Sequence, residues 1–433
     1  MGVYFGTDGF RGVYGQTLSP DITQKIGNAL GKLCGQRKKV LVGRDTRCSG
    51  SLLTLALANG LMSYGIDVVD IGIAPTPAIA FLAKKFDFNY GVVISASHNP
   101  KEYNGIKIFD SNGYKISEEE EFEIERNLLY TRETTNERLG RYQYRPKLKK
   151  TYKQTLLGCC EALSGLKIAL DLANGASYSI AKEIFSKTGA RIIIRNNQNN
   201  GKKINVDCGA LYPEYIAHLT KEMGCDMGFS FDGDADRIIA CDENGNILDG
   251  DDILYILSQF IPTKHVVGTS MTNKGLELAL SKQEKVLLRS DVGDKYVSLL
   301  MRSSGAAIGG EPSGHIICNQ YSTTGDGMLT ALFIASHVKK TGQKLSSLCN
   351  YEKMPQVTKN IEVVDKYRIL NSDYLSAKIL AFTSEIGQNG RVLVRASGTE
   401  NKIRIMCEHK DEKKAREIVE LLSSIVENIN KKD

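Results

Sequence analysis

Tryptophan is absent from this 433-residue sequence, and proline occurs only nine times. Proline-rich, collagenous and low-complexity chains are thereby excluded. No run approaches the ~18 uncharged apolar residues of a membrane span, so no membrane association is expected. The ten cysteines (34, 48, 159, 160, 208, 225, 241, 318, 349 and 407) never form a CxxC pair. They read as reduced, mostly buried thiols rather than a disulfide frame or a zinc site. None of the six histidines forms a pair with metal-ligand spacing. Neither a GxGxxG nor a Walker run is present, so nucleotide-dependent chemistry has no motif to support it. A GxSxG elbow is missing too, which argues against an α/β-hydrolase site. The opening MGVYFGTDGFRG lacks a basic start followed by an apolar core, and a cytoplasmic protein is expected. The net charge is +6 without a long basic run, which suits small anionic ligands better than nucleic acid.

What is abundant is glycine, 41 residues or about 9.5% against a usual ~7%. Such a surplus points to tight turns and to backbone lying close to a ligand. Short β-branched runs alternate with amphipathic segments. Lys39–Val42, Asp67–Ile71 and Tyr90–Ile94 read as buried strands, and Ile22–Leu33 and Leu52–Met62 as helices between them. Ser19-Pro20 supplies an N-cap with proline at the first helical position, and Ser117 with Glu120 stands in capping-box register. After a polar break over 131–150 the alternation resumes with Leu166–Leu170, Ala190–Ile194 and Met227–Phe231, closing in an Asn-Gly hairpin turn. A third round contains Val266–Thr269, Lys285–Leu288, Ala306–Ile308 and a helix from about Asp326 to Lys340. Tyr351–Lys359 reads as another polar break. Strands Val392–Arg395 and Ile403–Cys407 follow, then a helix burying Ala415, Ile418, Val419, Leu422, Ile425, Val426 and Ile429 at the 3.6 period. Alternation of this kind predicts parallel-rich α/β units with a short α+β tail. Ligands of open α/β sheets sit at the carboxyl ends of strands, so the loops there carry the search.

Four such loops stand out. Ser95-Ala96-Ser97-His98-Asn99-Pro100 follows a strand and offers a hydroxyl beside an imidazole. It reads either as a nucleophile loop, with His98 contacting substrate or phosphate, or as a polar turn stopped by Pro100. Asp232-Gly233-Asp234-Ala235-Asp236-Arg237 places carboxylates at alternate positions, able to converge on one hard cation such as Mg²⁺. An EF-hand is excluded because Arg237 takes the obligatory glycine position and the flanks are strands. Gly309-Gly310-Glu311-Pro312-Ser313-Gly314-His315 sets acid, hydroxyl and imidazole on a glycine-paced loop suited to sugar hydroxyls, although an ordinary turn reads equally well. Arg395-Ala396-Ser397-Gly398-Thr399-Glu400, with Arg404 beyond, forms an anion cradle or else a hairpin loop with surface arginines. Arg11 lies in a glycine-rich N-terminal loop, and Lys107 follows the Ser97 loop.

Taken together and in this order, GTDGFRG, SASHNP, DGDADR, GEPSGH and RASGTE resemble the α-D-phosphohexomutase superfamily over practically the whole chain. INVDCGALYPE, SMTNKGLELAL, VGDKYV and TTGDG are most similar to its bacterial branch acting on glucosamine phosphates. The resemblance implies three consecutive α/β domains with mixed, parallel-rich sheets plus a smaller C-terminal α+β domain around a central cleft. The expected boundaries are 1–148, 149–250, 251–356 and 357–433. It implies an isomerase that interconverts glucosamine 6-phosphate and glucosamine 1-phosphate through phosphoserine 97 and a 1,6-bisphosphate, for amino-sugar and cell-wall precursor synthesis. Neutral hexose phosphates are the alternative substrates. Ser97, Asp232, Asp234 and Asp236 would hold Mg²⁺. Lys107 would be the general acid/base, its pKa lowered by nearby cations, aided by Arg11 and His98, while Arg237 stabilises the charge in transfer. Glu311, Ser313 and His315 would hold sugar hydroxyls. Arg395, Ser397, Gly398, Thr399 and Arg404 would hold the second phosphate. A homodimer and a priming kinase are further possible partners under the same resemblance. Pro312, Asn401 and Ala235 depart from the family pattern without removing a catalytic group.

Overall fold

β-Branched runs bounded by turns become sheet interiors throughout, and amphipathic segments become the helices that cover them. A computed structural model describes residues 5–6, 8–35, 38–129, 138–397 and 401–431. The chain divides into two units, Met1–Thr269 with Leu288–Asn350, and Ser270–Leu287 with Tyr351–Asp433.

The first unit contains a seven-stranded sheet in the order Phe5–Gly6, Gly9–Val13, Tyr103–Asp110, Tyr90–Ile94, Lys39–Arg44, Asp67–Ile73, Tyr142–Tyr144. From Tyr90–Ile94 to Tyr142–Tyr144 the neighbours are parallel, and on the other side they are antiparallel. Parallel neighbours need crossover connections, which helices Pro20–Cys34, Gly50–Ser63 and Thr76–Lys85 accompany. Ser19 caps the first of these through its Oγ, with Pro20 at the first position, and Ser117 with Glu120 closes the expected capping box. Leu18, Ile26, Leu30, Val40, Leu57 and Ile94 meet in one fully buried cluster.

A five-stranded sheet follows, ordered Ile247–Leu248, Ile238–Asp242, Met227–Phe231, Lys167–Asp171, Arg191–Arg195. Its hairpin turns at Asn244-Gly245, where Gly245 has φ +83°. The third sheet is ordered Val286–Ser290, His265–Thr269, Ile308–Gly310, Ile316–Cys318. All three sheets mix parallel and antiparallel neighbours, as expected of α/β domains.

The second unit is a three-stranded antiparallel sheet, Gln356–Glu362, Lys402–His409, Gly390–Ala396, backed by helices Asp373–Ile386 and Glu412–Asn430. Ala415, Ile418, Val419, Leu422 and Val426 are buried against Ile403, Ile405 and Cys407, as the periodicity requires, while Ile425 and Ile429 are half-buried. Segment Ser270–Leu287 belongs to this unit. Arg391 donates to the carbonyls of Ser270 and Thr272 while pairing with buried Glu408, whose carboxylate also accepts from the Lys274 amide.

Three expectations are corrected. Arg11 lies on strand Gly9–Val13 rather than in a loop, and Lys107 lies within strand Tyr103–Asp110. The first strand is short and carries two glycines, and the second opens on polar Asn104 and Gly105, so periodicity hides them. Residues 356–362 form a strand, not a break, because one face of this edge strand is solvated and its sequence is largely polar. Tyr142–Tyr144 is likewise a short edge strand inside the polar stretch after residue 131, whose residues 131–137 lie outside the described residues.

Helix Gly327–Thr341 starts at Asp326, a buried cap that accepts from the Leu329 amide and the Tyr152 hydroxyl. Burial outweighs these donors and pushes the carboxyl up to about 6. A folded pKa above the unfolded value means that the folded state binds the extra proton between about pH 4 and 6. Asp326 therefore costs stability as pH rises through that window. Unfolding free energies of the parent and Asp326→Asn, measured from pH 4 to 7, should diverge by roughly 2–3 kcal/mol, with the parent losing ground. A difference independent of pH would refute the assignment.

Candidate active site

Three loops at the carboxyl ends of strands meet within the first unit. The Ser97 loop follows Tyr90–Ile94, the Asp232 loop follows Met227–Phe231, and the Glu311 loop follows Ile308–Gly310. Gly233 shows how closely the first two approach. A Cβ there would lie 2.5 Å from the Ser97 carbonyl oxygen, so only glycine fits.

Ser97 is buried and holds a left-handed backbone, φ +53°. Its Oγ donates to Asp232 Oδ2 at 2.5 Å and lies 3.3 Å from His98 Nδ1. Burial and the nearby charges of Arg237 and Arg11 pull His98 down to about 3, so its imidazole is neutral near pH 7 and a weak base. Asp232 also accepts from the Arg237 amide. Burial and the like charges of Asp236 and Asp234 hold its carboxyl well above the ordinary range.

Carboxylate oxygens of Asp232, Asp234 and Asp236 all lie within 4.8 Å of one another, and all three residues are buried. They form the one such group of potential metal ligands among the described residues. Asp234 Oδ2 accepts from Thr76 Oγ1 at 2.5 Å and Lys107 Nζ at 2.8 Å, and Asp236 Oδ2 accepts from Lys107 Nζ at 2.6 Å. The other oxygens, Asp234 Oδ1 and Asp236 Oδ1, are buried without a hydrogen-bond partner. Orphaned anionic oxygens are costly, and an all-oxygen donor set of this kind fits a hard divalent cation. The triad can therefore hold a metal ion.

Lys107 reverses one expectation. Its ammonium is buried and also lies 3.4 Å from Asp8. Although burial disfavours the charge, Asp234, Asp236 and Asp8 together hold its pKa well above the ordinary lysine value. The cations expected to lower it are outweighed by carboxylates. Arg11 donates to Asn99 Oδ1 at 2.6 Å and pairs with Asp8, linking its strand to the Ser97 loop. Arg237 carries a buried Nε with no partner, and its charge is held by Asp236 and Asp232 against burial.

In the third loop, Glu311 Oε1 accepts from the Gly293 amide at 3.1 Å, and burial raises its carboxyl above the ordinary range. Ser313 is exposed. His315 departs from a sugar-facing role. It is buried, its Nε2 accepts from the Gly325 amide at 2.9 Å, and Nδ1 lies 3.9 Å from Asp236. Its ring is thus engaged with protein on both sides. In the second unit Arg395 and Arg404 are cross-strand partners, Arg404 Nη2 is 3.5 Å from Ser397 Oγ, and Lys366 donates to the Ser397 carbonyl at 2.7 Å. Gly398 and Thr399 lie outside the described residues.

Sequence reading missed Asp8, Asp45, Arg47, Lys115, Asn205 and Asp294. Lys115 pairs with both Asp8 and Asp294, and Asp294 Oδ2 lies 3.6 Å from His315 Nε2. Asp45 and Arg47 stand just past strand Lys39–Arg44, where the rule about carboxyl ends would have found them. Asn205 and Asp294 sit in segments noted only for their resemblance.

Fold and site together define an α/β protein whose first unit sets a buried serine hydroxyl beside a buried triad of aspartates able to hold a cation. The chain belongs to the phosphoglucomutase/phosphomannomutase family. Models of that family's alpha/beta/alpha domains I, II and III match residues 2–135, 148–245 and 249–354, and its C-terminal domain matches 359–424. Phosphoglucosamine mutase of Alkaliphilus metalliredigens is 40% identical over 447 aligned residues, covering 99% of both chains. That of Clostridium novyi is 41% identical over 444, again covering 99% of both. A crystal structure of a phosphoglucomutase/phosphomannomutase family protein from Burkholderia thailandensis shares the fold with a TM-score of 0.83 at 23% identity, covering 98% of this chain and 97% of that one. Aspergillus fumigatus N-acetylphosphoglucosamine mutase, solved with GlcNAc-6P and magnesium, matches with a TM-score of 0.69 at 19% identity, covering 99% and 96%.

A cation in the triad relieves the repulsion among its carboxylates, so divalent ions should stabilise the fold. Millimolar Mg²⁺ or Mn²⁺ is expected to raise the thermal midpoint by a few degrees, since saturation at about 100 Kd is worth ~2.7 kcal/mol. Asp234→Asn should abolish that response. An equal shift in the variant would place the ion elsewhere.

Proposed function

We propose that the protein is a phosphoglucosamine mutase, interconverting glucosamine 6-phosphate and glucosamine 1-phosphate. The observation that carries this reading is the full-length similarity, at 40–41% identity, to phosphoglucosamine mutases, with Ser97 and every triad aspartate present. Four domains with the boundaries 1–148, 149–250, 251–356 and 357–433 form part of the proposal.

In this mechanism Ser97 carries a phosphoryl group in the active enzyme. Oxygen O1 of glucosamine 6-phosphate attacks the phosphorus. The O1–P bond forms as the Ser97 Oγ–P bond breaks; the departing Oγ takes a proton from Lys107 and the proton leaving O1 restores it, giving the 1,6-bisphosphate and a free Ser97 hydroxyl. The intermediate turns end for end, and the 6-phosphoryl returns to Ser97 Oγ as glucosamine 1-phosphate is released. Asp232, Asp234 and Asp236, with the oxygens on Ser97, would hold Mg²⁺, which when bound supplies charge neutralisation to the group in transfer. Arg237, whose buried Nε has no hydrogen-bond partner, would face the same charge. Lys107, held protonated by its carboxylate neighbours, starts as the proton donor, with Arg11 and His98 beside it. Glu311 and Ser313 would take sugar hydroxyls. His315 would instead steady Asp236 from behind, which fits its burial. Arg395, Ser397, Gly398, Thr399 and Arg404 would hold the phosphate not in transfer, whichever end carries it. The enzyme would work in the cytoplasm.

Intact-mass measurement should find one phosphoryl group on the parent, and none on Ser97→Ala. Turnover of glucosamine 6-phosphate should fall at least ~10³-fold in that variant. Full activity in Ser97→Ala would overturn the phosphoserine mechanism. A higher kcat/KM for glucose or mannose 6-phosphate would overturn the substrate assignment.

A further inference from the structure

Beneath the Ser97 loop lies a guanidinium with no donor to spare. Arg47 has a fully buried side chain. Its Nε donates to Asp45 Oδ2 at 2.9 Å. Nη1 donates to the carbonyls of Pro100 and Tyr103, and Nη2 to those of Ser97 at 3.0 Å and Asn99 at 2.7 Å. Arginine offers five N–H donors, and all five are committed, three of them to the main chain of the Ser97 loop and a fourth to the first residue of the strand that follows it. Asn205 reaches the same loop from the segment after strand Arg191–Arg195. Its Nδ2 donates to the Ser97 carbonyl at 2.8 Å and the Asn99 carbonyl at 3.1 Å. Each of these two carbonyls therefore has both lone pairs engaged. The Ser97 amide is fixed through the same pair, since it donates to Ser95 Oγ at 2.9 Å, which donates in turn to Asp45 Oδ2 at 2.6 Å.

The residue so gripped is the one whose backbone is strained. Ser97 has φ +53°, a left-handed conformation that a non-glycine residue keeps only where its surroundings impose it. We propose that Arg47, seconded by Asn205, is a positioning residue for phosphoryl transfer at Ser97. The clamp holds the loop in one backbone conformation whether Oγ bears a proton or a phosphoryl group, so donor and acceptor geometry agree in both directions of transfer. This inference rests on the reading of Ser97 as the phosphoryl carrier. It is a claim about geometry, not field, because Arg47 is neutralised by Asp45 at contact distance. Lysine at this position keeps the charge but offers three donors in place of a planar five.

Arg47→Lys and Asn205→Asp test the clamp, each assayed well below its own unfolding midpoint and normalised to the folded fraction. Aspartate has the shape of asparagine and tolerates the φ of +57° at position 205, but it turns acceptors toward both carbonyls. That variant answers the question if Arg47→Lys does not fold. We expect kcat to fall about tenfold or more in both, with KM within about threefold, because small misplacements of reacting atoms cost that much. Arg47→Ala should recover part of the lost kcat with added guanidinium and none with ammonium. Parental kcat per folded molecule in the variants, or recovery with ammonium, would overturn the clamp. Ser97→Ala run alongside separates the two readings. If that variant is inactive while Arg47→Lys and Asn205→Asp turn over normally, the clamp alone is wrong. If Ser97→Ala stays active, the carrier assignment itself has failed.

Discussion

Three buried carboxylates whose oxygens lie within 4.8 Å of one another repel strongly, and the rest of the site is organised by that repulsion. Lys107, Thr76 and the Ser97 hydroxyl each donate to one or two of them, yet two oxygens remain unpartnered. Widening the circle does not balance the account. Asp8, Asp294 and Glu311 join the triad to make six acidic groups, against the four bases Arg11, Lys107, Lys115 and Arg237. A buried region this rich in carboxyl groups is a poor hydrophobic core and a good receptor for a divalent cation.

The same electrostatics sort the groups into roles. Asp232 is pushed up by burial and by its like-charged neighbours and accepts from the Ser97 hydroxyl, while at Asp236 Lys107 leads the charges that together outweigh burial and pull the carboxyl down. His98 is kept neutral by burial and by two arginines, which leaves it a hydrogen-bonding neighbour of Ser97 rather than its base. Substrate phosphate and leaving groups are anionic as well. Lys107 is already paired with Asp234 and Asp236, so its freedom to face another anion depends on what else those carboxylates hold.

Much of the candidate loop set was legible because each loop follows a buried strand and carries residue types that chemistry demands. Ser97, the Asp232 triad and Glu311 were readable on those grounds, as were the helix caps at Ser19 and Ser117. What periodicity could not show is pairing across the chain. Lys107 and Arg11 lie on adjacent strands whose glycines and polar residues conceal them, and there Gly105 admits the backbone of Phe10 and Ser95 at distances no Cβ would allow. The sign of the shift at Lys107 was inverted for the same reason. Asp234 and Asp236 come from more than a hundred positions away, and a linear reading sees nearby cations but not distant acids. His315 looked like a sugar ligand because its loop is polar, yet its ring is turned inward onto Gly325 and Asp236.

Arg47 and Asn205 illustrate a further limit, since neither offers chemistry of its own to a substrate. Their importance lies in what they prevent. A non-glycine residue at φ +53° would relax toward an ordinary backbone if its carbonyl were free to turn, carrying Oγ with it. Four donors from two residues in loops that follow strands of separate sheets remove that freedom, and they do so with neutral or neutralised groups that leave the local charge unaltered. The site thus separates two tasks. Charged side chains at the triad set the energy of a transferring phosphoryl group, while a charge-balanced clamp sets where the atom that carries it can stand.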